Sequence, residues 1–479
     1  LTRRQFLADT GMGFTGLVLG TLLAEAKHAR PQGKAKSVIW LFMLGGASHL
    51  ETFDPKPALN KYAGKTFAAT PFPNPLKSPL LQKNFRILED GPVVNTRILP
   101  LQTGFRKRGQ SGIAVSDFWP HLGGCVDDLA VVRSLWTTDF QHSAQLQFNT
   151  GRMFLDGREP SLGSWVHYGL GTLNDNLPQF IVLGRPPSDF GGGAASHKAS
   201  YLGPEHDGVR VEVDPERALP FPPRGPDIHR ETQRADFELL GKLNRLTAVE
   251  YPDDPVLRAR IKSYELAFGM QTGFGEIFKL DGETQETHRL YGLDDPQTRP
   301  FGRQCLVARR LVEKGVRFIQ IYHGGSAEKD DGLWDAHNNV RGNHRELCGQ
   351  VDKPIAGLLR DLKRRGLLDS TLVVWGTEFG RAPNVDLRGV PAKEAPFRTG
   401  RDHHIYGFSA WLTGGGLKGG VVHGATDELG YHAVEHRHYV TDIHATVLHQ
   451  LGLDARKLEV PGRRRLALEV GRPIHQIIA

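Results

Sequence analysis

Eight consecutive residues, Ser37 to Leu44, read S-V-I-W-L-F-M-L and stop at Gly45-Gly46. A strand with one face in water alternates apolar and polar side chains, whereas a run like this one needs cover on both faces. It therefore predicts a buried central strand ending in a tight turn. The rest of the chain supplies partners for it. Leu129–Val132 and Phe180–Leu183 are short apolar strands, the second ended by Gly184-Arg185-Pro186. Further on, a helix over Cys305–Lys314 (closed by Gly315) precedes a strand over Val316–Tyr322. A long helix over Asn343–Arg365, closed by Gly366, precedes a strand over Thr371–Trp375. A strand over Phe408–Leu412 and a helix over Val440–Leu451 complete the pattern. Strands alternating with helices predict an α/β three-layer sandwich with a mainly parallel central sheet.

Two stretches interrupt that rhythm. Residues 185–225 are rich in Gly, Pro and charge and read as a long surface excursion. From Arg230 to Tyr291 the apolar spacing (Phe237, Leu240, Leu243, then Leu257, Ile261, Tyr264) is helical, which places a helical insertion near 226–300 over one edge of the sheet.

At the other end, T-R-R-Q-F-L at residues 2–7, an apolar run from Met12 to Leu23 and Ala24-Glu25-Ala26 read as a twin-arginine signal peptide over 1–30. The run is far short of the ~20 apolar residues that span a bilayer. Residues 31–479 are then expected to form a single domain, exported folded to the periplasm or beyond, without a stable membrane span. The net charge of +7 is spread among interspersed acids and bases. The runs Lys363-Arg364-Arg365 and Arg463-Arg464-Arg465 lack interleaved aromatics, so nucleic acid is not an expected partner. The three cysteines form no C-x-x-C pair, and Cys305 and Cys348 fall in helices, which argues against thiolate metal ligation.

In an open parallel sheet, ligands bind beyond the carboxyl ends of the strands. Acids and imidazoles gather there. His49 and Asp54 come after the first strand, and Asp335 and His337 (W-D-A-H) after Val316–Tyr322. Glu378 and Arg381 (G-T-E-F-G-R) come after Thr371–Trp375, and Asp402, His403 and His404 (G-R-D-H-H) precede Phe408. Oxygen and imidazole donors together suit a divalent metal ion, Zn or Mn. Each cluster also has a plainer reading: Asp335-x-His337 as a hydrogen-bonded turn, Glu378 as a salt bridge to Arg381. The remaining histidines, His423, His432, His436, His438, His444 and His449, are too scattered along the chain to assign.

The segments W-L-F-M-L-G-G-A-S-H-L-E-T-F-D-P-K-P, R-S-L-W-T-T-D-F-Q-H-S-A-Q, W-D-A-H-N-N, W-G-T-E-F-G-R and G-R-D-H-H resemble bacterial exported proteins of domain-of-unknown-function family 1501. That family is related to the alkaline phosphatase and sulfatase superfamily, and the resemblance implies an alkaline phosphatase-like fold with a two-metal hydrolytic site. By it, Glu378 stands at an Asp ligand position and Phe379 at a His ligand position. Asp335 and His337 match the other half-site at shorter spacing, and His403 or His404 matches a late His ligand. Gln141 stands where sulfatases carry the nucleophile, which excludes formylglycine chemistry. His142 and Ser143 lie at an expected helix N-terminus, with Ser143 either a displaced nucleophile or an N-cap. The implied activity is metal-dependent hydrolysis of an anionic phosphate or sulfate ester, with Arg381 clamping the anion. The alternative is a non-catalytic envelope or ligand-binding protein that retains the hydrolase fold.

Overall fold

The computed structural model describes residues 33–81, 97–213, 274–324, 332–387, 397–458, 460 and 471–479, with a few positions between 235 and 246. The signal segment, most of the 226–273 stretch and Arg463-Arg464-Arg465 lie outside the described residues.

The first apolar run forms β1, Ser37–Met43, and all seven of its residues are buried. Its alternate side chains go to opposite faces. Val38, Trp40 and Phe42 join one core with Leu162, Val166, Ile443 and Val447, while Ile39, Leu41 and Met43 join the other with Leu306, Leu311, Ile355 and Leu359. Two apolar layers on one strand need two helix layers, and these are present. On one side lie α2, Leu162–Leu170, and α5, Val440–Gln450. On the other lie α3, Arg299–Glu313, and α4, Val340–Arg364. The three-layer α/β sandwich is thus the observed architecture.

Seven further strands complete the main path of the sheet. They are β2 Ala130–Trp136, β3 Phe180–Leu183, β4 Val209–Val211, β5 Phe318–His323, β6 Thr371–Thr377, β9 Phe408–Thr413 and β10 Val421–His423. The order is β10-β2-β9-β6-β1-β5-β3-β4, and β11, His438–Tyr439, also pairs with β2. Every pairing is parallel except those of β9, which runs against both β2 and β6. That reversal positions the site. A parallel strand delivers its succeeding residues to the carboxyl edge, and a reversed strand delivers its preceding residues to the same edge. The segment before β9 belongs to a separate two-stranded ribbon of β7, Gly380–Val385, and β8, Arg401–His404.

Two expectations change. The stretch from 185 is not wholly a surface excursion: it buries Ser196, His197 and Leu202 and carries the edge strand β4. The described part of the helical insertion, Phe274–Phe278 and Gln285–Tyr291, packs on α3 and α4 rather than on a sheet edge, with Tyr291 Oη donating to Asp361 Oδ2 at 3.0 Å.

Candidate metal centre

Five strand ends supply the centre. After β1 the chain turns through Gly45 (φ 112°) and Gly46 (φ 86°), a conformation that L side chains rarely adopt. A Cβ on Gly46 would run into the Phe379 ring, so the second glycine is also required by packing. The turn sends the Gly45 N–H to Glu378 Oε1 at 2.8 Å. Beyond it, the buried pair Glu51–Arg401 (Nη2–Oε1 2.9 Å) ties this loop to β8.

Asp335 stands at the middle. Its Oδ1 lies 2.9 Å from His337 Nε2 and 3.1 Å from His403 Nε2, and it accepts from Arg381 Nη2 at 2.5 Å. Its Oδ2 lies 3.1 Å from His142 Nε2. Burial would raise the Asp335 carboxyl, but Arg381 and the three imidazoles hold it well below the usual carboxylate range. His142 in turn reaches Glu378 Oε1 through Nδ1 at 3.1 Å. Burial opposes a charged imidazole there, yet the hydrogen bonds to Asp335 and Glu378 outweigh it and raise His142 to about 9. Glu378 is fully buried and also accepts from Gln145 Nε2 at 2.8 Å.

The tautomers of the other two histidines are fixed by their neighbours. His403 Nδ1 is 2.6 Å from the Phe140 carbonyl, which can only accept, so Nδ1 carries the hydrogen and Nε2 presents a lone pair. His337 Nδ1 is 2.6 Å from Asp386 Oδ2, with the same result in the neutral ring. Those two Nε2 atoms are 3.0 Å apart. Two lone pairs in contact repel unless a proton or a cation lies between them. With Asp335 Oδ1 they form a nearly equilateral triangle of edges 2.9, 3.0 and 3.1 Å. Ligand atoms at ~2.0–2.1 Å from a tetrahedral ion would sit roughly 3.3 Å apart, so the residues fit a small divalent ion after minor opening. Two overlapping ligand sets occur, His142, Asp335 and His403, and His337, Asp402 and His403; within each, ligand atoms lie within 4.8 Å of one another. His403 is neutral, burial pushing it well below its ordinary value, while hydrogen bonds to Asp335 and Asp386 raise His337 against the effect of burial.

Other expected site residues stand apart from this triangle. Successive strand residues point to opposite faces, so His404 turns away from His403. His404 bonds the Tyr431 carbonyl at 2.5 Å and stacks on His49, with centroids 6.3 Å apart. His49 bonds the Gly430 carbonyl at 2.9 Å. Asp54 accepts from Thr426 Oγ1 at 2.5 Å and pairs with Lys56 at 3.3 Å. Ser143 occupies the N-cap position of α1, Ala144–Thr150, without capping it, and donates to Asp139 Oδ2 at 2.6 Å. Arg381 is fully buried. Its guanidinium donates to the Gly45, Gly46 and Arg401 carbonyls as well as to Asp335, which makes it a brace for the ligand rather than a clamp reaching toward an anion. Phe379 lies against His403, centroids 4.4 Å apart, and closes one side of the centre.

Sequence reasoning missed Gln145, Asp386 and the Phe140 carbonyl. Gln145 was findable, three residues beyond His142 across the turn that opens α1, where its N–H donates to the His142 carbonyl at 2.9 Å. Asp386 and a backbone carbonyl carry no sequence signal.

The fold and centre define an α/β protein with a histidine–carboxylate cluster at the carboxyl edge of a mainly parallel sheet. The chain belongs to the family described as "Protein of unknown function (DUF1501)", which matches residues 35–478. No curated protein matches it. Among solved structures it is similar to the lipoteichoic acid synthase LtaP from Listeria monocytogenes (10% identity, 88% of this chain and 73% of that one, TM-score 0.37). It is similar also to the PsFucS1 sulfatase from Pseudoalteromonas sp. (13%, 90% and 69%, TM-score 0.36). A third is the alkaline phosphatase from the Antarctic bacterium TAB5 (9%, 88% and 99%, TM-score 0.34).

Proposed function

We propose that this chain is an exported, metal-dependent hydrolase of phosphate or sulfate esters, in which Asp335, His337 and His403 hold a Zn or Mn ion. The observation that supports it most is the convergence of His337 Nε2, His403 Nε2 and Asp335 Oδ1, three ligand-type atoms within 3.1 Å of one another. A divalent ion at that point would lower the pKa of a bound water and take up charge on the ester oxygens. The chain's own groups prepare the site. Asp386 and the Phe140 carbonyl fix both imidazoles. Arg381 anchors Asp335. His142, protonated at neutral pH between Asp335 and Glu378, is placed to give a proton to the leaving oxygen. Ser143 is engaged with Asp139, so water is the nucleophile in this reading.

The test is metal content of the purified full chain together with a screen of chromogenic phosphomonoesters, phosphodiesters and sulfate esters with added Zn²⁺, Mn²⁺ or Ca²⁺. Turnover lost together with one equivalent of metal in Asp335→Ala supports the reading; a folded parent chain that holds no more Zn²⁺ or Mn²⁺ than Asp335→Ala refutes it. The engagement of Arg381 with backbone carbonyls favours a second reading, a ligand-binding protein on a hydrolase scaffold. Stable metal without turnover of any ester class would establish that one. Export is tested separately: Lys in place of Arg3 and Arg4 should retain the chain in the cytoplasm.

A further inference from the structure

The fold brings His423 against His436 and His438, which lie 13 and 15 residues further along the chain. β10 and β11 both lie along β2, with His423 opposite Val132 and His438 opposite Leu135. That places His423 Nε2 and His438 Nε2 2.9 Å apart. His438 Nδ1 lies 2.8 Å from Asp442 Oδ2, one turn along at the start of α5. The carboxylate accepts a hydrogen bond from Nδ1–H, so in the neutral ring His438 Nε2 presents a lone pair toward His423. His436 stacks on His423 with centroids 5.0 Å apart, and its backbone sits in the left-handed region at φ 46°, its carbonyl held by Ser134 Oγ at 2.7 Å. A carboxylate behind one imidazole, orienting its other nitrogen at a second imidazole, is the arrangement that prepares histidines for a metal.

We propose that His423 and His438 form a second divalent-metal site, oriented by Asp442 and flanked by His436, on the β2 edge of the sheet. It is built from none of the residues of the Asp335 centre and does not depend on that centre being catalytic. His423, partly desolvated and beside two other imidazoles, is pushed down to about 4 and is therefore neutral at pH 7. Binding would require the hydrogen on His423 Nε2 to pass to Nδ1 of the same ring, so both imidazoles would ligate in the neutral form and no net proton is released. Paired imidazoles without thiolates favour Cu²⁺, Ni²⁺ or Zn²⁺ over Mg²⁺ or Ca²⁺.

The experiment is metal-binding stoichiometry of the full chain, stripped with chelator and titrated with Zn²⁺ or Cu²⁺, with EPR of the Cu²⁺ form to count nitrogen ligands. Asp335→Ala should keep this site, with two imidazole nitrogens in the Cu²⁺ spectrum. His423→Ala and His438→Gln should each lose one equivalent, and Asp442→Asn should weaken that equivalent by about 10–100-fold. If His438→Gln, shown folded by circular dichroism, binds as many equivalents as the parent, the proposal is overturned and the pair is a hydrogen bond that closes the sheet edge. A Cu²⁺ spectrum in Asp335→Ala without imidazole nitrogens overturns it equally. Loss of metal from the Asp335 centre alone leaves these readouts unmoved, so the two sites fail independently.

Discussion

Raising the pH of metal-free protein should remove stability that His142 contributes. In the folded chain its imidazole is raised from the ordinary 6.5 to about 9, the bonds to Asp335 and Glu378 outweighing burial. A raised folded value means that the folded state holds the proton more tightly than the unfolded chain. The contribution is therefore complete below pH 6.5, falls between 6.5 and 9, and is gone above 9. At about 1.36 kcal/mol per pH unit, that window corresponds to roughly 3 kcal/mol. The same bonds hold Asp335 down, so the interaction counts once. The assay is urea unfolding with chelator present at pH 6, 7.5, 9 and 10, comparing the parent with His142→Gln. The parent should lose about 3 kcal/mol more than the variant between pH 6 and 10. Parallel curves for the two proteins would refute the reasoning, as would a gap that widens toward high pH.

Four other substitutions have outcomes set by the geometry. His403→Ala should abolish metal uptake by the Asp335 centre, whereas His404→Ala should keep it and cost about 1–3 kcal/mol through the unpaired Tyr431 carbonyl; metal analysis and urea melts separate them. Gly46→Ala meets the Phe379 ring at positive φ and should destabilise by about 1–3 kcal/mol, read as a fall in Tm. Arg401→Met strands the buried Glu51 carboxylate and should cost about 3–5 kcal/mol, while Arg401→Met with Glu51→Leu should recover most of that; if the double variant is worse than the single, the ion pair is not what holds the loop.

The sheet was legible because its central strands are continuous apolar runs, and β1, β3 and β6 lie where those runs lie. β2 is longer than its apolar core suggests. Arg133 and Ser134 interrupt the pattern, yet the strand continues through them to Trp136, with Arg133 directed toward Asp54 and Ser134 bonded to the His436 carbonyl. Cutting the strand at Val132 hid the fact that its end delivers His142. Asp335, His337, Glu378 and Asp402 were readable as strand-end acids and imidazoles. The choice between His403 and His404 was not, because it rests on the ribbon register, His403 opposite Arg381 and His404 opposite Gly380, with a bulge after Arg401. Arg381 and Ser143 show why residue type alone is not enough: it announces capacity, while partners, Asp335 and backbone carbonyls for Arg381 and Asp139 for Ser143, decide how it is used.

The β7–β8 ribbon carries its own consequence. Asp386 N–H donates to the Gly400 carbonyl at 3.0 Å, and Val385 pairs with Arg401, so the two arms are stitched together right beside the ligands they carry. The support of both imidazoles is therefore settled where the ribbon closes on itself, at Val385-Asp386 on one arm and Gly400-Arg401 on the other.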